Sequence, residues 1–266
     1  MHTWGLESSP FSVGSCEPVF FAGLPQQEAL ARLRFLVHNS RRLGLVLGQS
    51  GGGKSLLLEL FGQECLNENW SVVRLNLLGM SVRDLHWQLA VGLRAAPRTS
   101  DEPLRLARRW QEQLQQHQLQ DERTVLLLDD VDQAGADALT QLTRLIQIPP
   151  AQVGNLTIVL TANTTETHRL SKRLVDLVDL RIELEPWEEA DTVGYLQEAL
   201  VAAGAEQPIF DERALAEIHR LSGGVPRQVN RLADFALVAG ADLKLIDQST
   251  IVDVHASLTD RAGCLS

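Results

Sequence analysis

From about residue 42 to residue 185, short apolar runs alternate with stretches whose apolar residues recur at helical spacing. Strands buried on both faces read as continuous apolar runs, so this alternation predicts an α/β fold, a doubly wound parallel sheet with helices on both sides. The runs place strands at 43–47, 72–77, 125–128, 156–161 and 180–184, with helices after each of the first four. Turn chemistry agrees: Gln147-Ile148-Pro149-Pro150 closes one helix, and Asn155 precedes the next strand. Beyond Pro186 the pattern becomes helical only, at 188–203, 211–221, 225–238 and 248–258. The third of these helices opens with Gly223-Gly224-Val225-Pro226-Arg227, where proline suits a first turn. The expected organisation is a sheet domain over 1–185 followed by a small all-helical domain over 186–266.

Composition changes this picture little. The chain has 266 residues, 44% of them hydrophobic, enough for a large core. No apolar run approaches the ~20 residues of a membrane helix, and no basic-then-apolar leader opens the chain, so a cytoplasmic protein without a transmembrane segment is expected. Cys16, Cys65 and Cys264 are widely separated, which suggests neither a disulfide framework nor zinc. The seven histidines form no i, i+4 pair, so a metal cluster is not expected. The five tryptophans form no stripe and are read as packing residues. Charge is more informative. The net charge is −10, and most of it falls after residue 185, which disfavours a nucleic-acid clamp in the helical part. Arg105, Arg108 and Arg109 share one helix face, and a solvated surface is the better reading of them.

One segment names a ligand. Gly48-Gln49-Ser50-Gly51-Gly52-Gly53-Lys54-Ser55 is a complete G-x-x-x-x-G-K-[ST] loop between an apolar strand and an apolar helix. Glycines let the backbone wrap a polyphosphate with its N–H groups inward, and the following helix adds its positive end. Lys54 is expected on the β and γ phosphates of ATP, and Ser55 on Mg²⁺.

The other strand ends supply matching chemistry. The 124–128 run ends in Asp129 and Asp130, as a Walker B segment does; Asp129 is the expected magnesium-organising carboxylate, and Asp130 the group that orients the attacking water. The 156–161 run leads to Asn163, whose amide can donate and accept between water and γ-phosphate. Arg227 would be a cation entering from the helical domain, and Arg173 and Arg181 are candidates for an arginine finger acting on a neighbouring subunit.

Taken together, these residues resemble an AAA+ ATPase, and within that superfamily the general secretion pathway protein A (ExeA-type) ATPases. The resemblance rests on Trp4-Gly5-Leu6 with Ser9-Pro10-Phe11, on Glu28-Ala29-Leu30, and on a C-terminal series. That series is Pro208-Ile209-Phe210, Ile218-His219, Leu221 through Arg227, and Val229-Asn230. The resemblance implies strand order 5-1-4-3-2, Asn163 as sensor 1, Arg227 as sensor 2, and an adenine-side segment within 1–40 that uses residues near Phe11 and from Pro25 to Glu28. Three departures stand out. Asp130 replaces a glutamate and is followed by Val131-Asp132 where the family has Ala-Gln; Asn163 replaces a frequent glutamine; and Asp176-Leu177-Val178 replaces Gln-Arg-Ile, removing an arginine.

The expected function is ATP hydrolysis to ADP and phosphate by a homo-oligomer that drives or regulates a larger assembly through an unidentified protein partner, of a secretion or pilus type. A DNA-associated transposition- or initiator-type regulator is the disfavoured alternative. A slow-hydrolysing nucleotide switch, suggested by Asp130, is another.

Overall fold

A computed structural model describes residues 4–7, 10, 11, 21 and 23–263. Ser9, Cys16 and Cys264, singled out above, lie outside the described residues. The chain divides into two compact units: residues Glu28–Leu184 form one, and the described residues up to Gln27 join those from Glu185 onward in the other.

The first unit is built on five parallel strands, β1 (Leu43–Gly48), β2 (Ser71–Asn76), β3 (Thr124–Asp129), β4 (Leu156–Asn163) and β5 (Leu180–Leu184). Their order is β2-β3-β4-β1-β5, the expected 5-1-4-3-2 arrangement read from the other edge. β1 and β3 are buried at every position, which is why they read as unbroken apolar runs.

Successive side chains point to opposite faces of the sheet. Leu43, Leu45, Leu126, Leu128, Ile158 and Leu160 share one core with Leu85 and Leu89 of α3 (Val82–Gly92), Leu106 and Trp110 of α4 (Pro103–Leu119), and Leu142 and Leu145 of α5 (Ala136–Ile146). Toward the other face, α1 (Leu24–His38) brings Leu36 against Gly44, and α2 (Lys54–Asn67) packs its Gly62 against Leu127. Helix α1 is an element the hydrophobic pattern did not predict. Two helices, α3 and α4, also fill the β2–β3 connection. Short α6 (Pro150–Val153) and α7 (Lys172–Val175) precede β4 and β5.

In the second unit α8 (Glu189–Ala202), α9 (Glu212–Ser222), α10 (Pro226–Ala239) and α11 (Gln248–Gly263) enclose Leu196, Ile218, Val229, Leu232 and Ile251. The described residues 4–7, 10 and 11, expected with the sheet, group with this unit. Leu6 and Phe11 are buried in this helical core, Phe11 lies 6.3 Å from the Tyr195 ring, and the Glu7 N–H donates to Ala203 O at 2.9 Å. The reason is apolar area: the hydrophobic residues of 4–11 cover helices that would otherwise expose their inner face. Phe11 is thereby used in packing.

Gly224 explains the glycines ahead of α10. Its φ is +69°, and a Cβ there would stand 2.1 Å from Trp187 O, while the Trp187 N–H donates to Gly224 O at 2.9 Å. Only glycine allows that approach. Trp187 is itself pinned by its Nε1–H donating to Gln26 Oε1 at 2.9 Å. Gly224→Ala should therefore destabilise the helical unit by about 2 kcal/mol or more, since both a left-handed backbone and a backbone clash must be relieved. Urea unfolding of the variant beside wild type measures it, and Gly223→Ala, with open space at its Cβ, is the milder control.

Candidate nucleotide site

Parallel pairing aligns three adjacent strand ends. Gly48 is in register with Asn163, and Asn76 with Asp129, so the phosphate loop, the acidic segment and the amide lie along one edge of the sheet. In open α/β sheets that carboxyl edge is where ligands bind.

The loop between β1 and α2 has the geometry of a phosphate cradle. Gly51 and Gly53 have φ of +81° and +93°, and Gly53 forms the N-cap of α2 without a capping side chain. The first N–H groups of the helix are thus left for a ligand. Lys54 begins the helix, is buried, and donates from Nζ to Gly48 O and Gln49 O at 3.0 Å each. Its ammonium is folded over the loop. Gly48 is closely packed for a different reason: a Cβ there would stand 3.2 Å from Leu184 O.

The acidic segment is more structured than a strand cap. Asp129 is buried, and its Oδ1 accepts from Thr161 Oγ1 and from the Asp130 N–H, the latter at 3.2 Å. Among the described residues no ion pair joins it to a cation. A buried carboxylate held only by neutral donors suits a divalent ion with an oxygen-ligand preference, so Asp129 and the Ser55 hydroxyl fit a magnesium site. Asp130 has φ 53° and ψ 45°, a left-handed conformation that aspartate tolerates better than most residues. That turn aims its carboxylate at Asn76, whose Nδ2 donates to Asp130 Oδ2 at 2.8 Å.

Asn163 is fixed from two sides. Its backbone N–H donates to Asp132 Oδ1 at 3.2 Å, and its own Oδ1 accepts from the Thr165 N–H and hydroxyl at 3.2 and 3.1 Å. What Asn163 can offer a γ-phosphate is therefore its Nδ2 donor. Asp132 is buried, with its second oxygen accepting from Gln133 Nε2 at 2.8 Å.

Thr161, Asn76 and Asp132 were not singled out for the site, although two carried signals. Thr161 is a hydroxyl inside an otherwise apolar buried strand, and Asn76 ends β2 beside Asp129. Asp132 was legible only as a departure from the family pattern.

Arg227 is exposed in the first turn of α10, in the helical unit. Arg173 donates to Gln147 Oε1 at 2.8 Å, and Arg181 pairs with Glu183 at 2.7 Å. The basic helix face has a structural job: Arg105 and Arg109 converge on the carboxylate of buried Asp101, at 3.2 and 2.7 Å. The Arg98 N–H, with the charges of Arg109 and Arg105 adding to it against the cost of burial, holds the Asp101 carboxyl below its ordinary range.

A family model described as an AAA domain matches residues 37–170, half of the chain and the whole stretch from β1 through the acidic segment to Asn163. The chain belongs to this family. The chain is also similar to "General secretion pathway protein A" of Aeromonas hydrophila, 28% identical over 244 residues that cover 89% of this chain and 44% of that one. It thus spans less than half the length of that curated relative. Among solved structures the AAA+ fold is shared with Cdc6p from Pyrobaculum aerophilum, at TM-score 0.68 and 20% identity over 89% of this chain and 65% of the other. The Aeropyrum pernix ORC1 protein, solved in complex with DNA, gives 0.64 and 16% over 92% and 68%. No helix among the described residues is long and apolar enough to cross a membrane.

Two outcomes follow from this geometry. Thr161→Val should weaken magnesium-dependent nucleotide turnover by roughly tenfold, because Asp129 loses its hydroxyl donor in a buried site; a phosphate-release assay across a magnesium series tests it. Asp101 has a depressed folded pKa, so its cluster stabilises fully above the unfolded carboxyl value and is lost as pH falls through the folded one. The melting-temperature gap between wild type and Asp101→Asn should be constant from about pH 7 to pH 5 and shrink below about pH 4.

Proposed function

We propose that this chain is an ATP-hydrolysing module that drives or regulates a larger assembly through nucleotide-dependent contacts between its own copies. The observation that carries the reading is the alignment of the phosphate loop, Asp129 and Asn163 on consecutive strand ends, each held by its own hydrogen bonds before any ligand arrives. Preorganised groups of this kind stabilise developing charge without reorganisation at the moment of reaction.

In this reading the N–H groups of the loop and of the α2 start take the polyphosphate, and Lys54 leaves the Gly48 and Gln49 carbonyls for the β and γ phosphates. Magnesium, held by Ser55 and organised by Asp129, supplies neutralisation of the phosphate charge. Asp130 orients water for in-line attack on the γ-phosphorus. The P–O bond to ADP breaks, and inorganic phosphate leaves with the hydroxyl derived from that water. The Asn163 amide donates to the γ-phosphate oxygens, and Arg227 brings the helical unit into register with nucleotide state. Arg173 and Arg181 serve as the candidates for a finger reaching a neighbouring copy.

Turnover is slow in this proposal for two reasons. Asp130 is one methylene shorter than glutamate, and its carboxylate is occupied by Asn76, a contact that water must displace. A role in an envelope secretion or pilus system is favoured over a DNA-associated one by the match to general secretion pathway protein A. The pairing of Arg105 and Arg109 with Asp101, whose carboxylate offsets one of their two charges, supports the same choice.

Lys54→Ala should lower ATP affinity at least tenfold in a fluorescent-nucleotide titration; unchanged affinity and turnover would sink the reading. Asp130→Asn should hold ATP while hydrolysing it roughly a hundredfold more slowly, as expected for loss of the group that orients water. Size-exclusion with light scattering should show larger species with a non-hydrolysable analogue than without it, and a monomer under both conditions would remove catalysis between copies.

A further inference from the structure

A second cationic feature of the sheet unit lies at the opposite end of the strands from the phosphate loop. Arg42 immediately precedes β1 and Arg123 immediately precedes β3, while β4, which begins at Leu156, runs between those two strands. The two arginines therefore flank the start of the central strand. Six residues of β1 at ~3.3 Å each separate this end from Gly48 by roughly 20 Å.

A cleft of about 150 Å³ opens there, lined by Arg42, Arg123, Ser40, Asn155 and Thr157 among others, and no acidic residue is among those that line it. Both guanidinium groups are held in place by neutral partners. Arg42 donates from Nη1 to Leu156 O and from Nη2 to Leu145 O, each at 3.3 Å, and its Nε is buried with no hydrogen-bond partner. Arg123 donates from Nη1 to Val37 O at 3.0 Å and sits 5.5 Å from the centre of the Trp70 ring. Acids nearby are engaged elsewhere. Asp179 accepts from the backbone N–H groups of Arg42 and Leu43, Asp121 from the Asn155 amide, and Glu122 faces His117.

This is an unusual way to keep charge. Buried cations are ordinarily paired, since removing them from water is costly. Here burial pulls the Arg42 guanidinium down to about 10, and no carboxylate lines the cleft to offset its charge. Two preordered guanidinium groups lining one small cleft supply the positive charge that attracts planar or tetrahedral oxyanions, and ordering them in advance removes part of the entropic cost of binding.

We propose that this cleft is a binding site for a small oxyanion, a phosphate group or a carboxylate, separate from the nucleotide site. An anion seated between Arg42 and Arg123 supplies the missing counter-charge, so occupancy ties the β1, β3 and β4 starts together. The same chemistry accepts free phosphate, including that released by hydrolysis, or an acidic side chain presented by a partner.

Inorganic phosphate, titrated at constant ionic strength into isotope-labelled protein and followed by amide NMR, distinguishes the two ends of the sheet. Saturable shifts are expected at Gly154, Asn155 and Thr157, separately from any at Gly51 to Lys54. In a Lys54→Ala background, phosphate should raise the melting temperature by about 3 °C or more at saturation. Arg123→Gln should abolish both effects. Ser40→Asp places a carboxylate at the cleft on a left-handed residue (φ 51°) that aspartate accommodates, and should weaken phosphate binding at least tenfold with the fold retained. Acetate matching phosphate would assign the site to carboxylates, and phosphate alone to phosphoryl groups. Absence of saturable shifts at Gly154 to Thr157 with both anions would overturn the proposal, as would identical binding by wild type and Ser40→Asp.

Discussion

The parallel register of β3, β4 and β1 is the constraint on which the rest of this molecule depends. Those three strands are buried almost throughout, so their pairing is set by side chains that have no alternative to the core. A slip of one residue would turn every apolar side chain to the other face. Because the register cannot slip, Gly48, Asp129 and Asn163 must emerge together at the carboxyl edge. Chemistry that needs ångström placement is thus fixed by an apolar packing problem.

The polar groups at that edge show what the register leaves to local interactions. Asp129 is desolvated, which is costly for a carboxylate, and Thr161 with the Asp130 N–H compensates it. Asp130 turns left-handed at the strand end and meets Asn76 from β2, while Asp132 secures the Asn163 backbone. The acidic run at 129–132 therefore divides its labour. One carboxylate is held by a hydroxyl and a backbone N–H, one by an amide, and one builds the turn.

Much of this was legible along the chain. All five strands were placed within two residues of their observed ends, because two-sided burial leaves an uninterrupted apolar signature. The phosphate loop was legible because its glycines and lysine answer to a backbone requirement that few other sequences meet. The helix α1 and the placement of residues 4–11 were not. Leu6 and Phe11 are ordinary apolar residues, and nothing local to them says which core they will join. The basic face of α4 is solvent-facing at Arg105 and Arg108, as its spacing suggested, but only the fold brings buried Asp101 beneath Arg105 and Arg109.

By itself the sequence determined the α/β class, the all-helical second part, the glycine-rich loop from Gly48 to Ser55 and the acidic end of β3. These properties depend on periodicity and on short contiguous segments, which act over a few residues. Tertiary structure decided the contacts between strands: Thr161 on Asp129, Asn76 on Asp130, and Arg42 and Arg123 around one cleft. Residues 32 and 54 positions apart in the first two pairs meet only when parallel crossovers bring their strands side by side, and the third pair, 81 apart, converges only because β4 is set between β1 and β3. That is a property of topology, which no local pattern encodes.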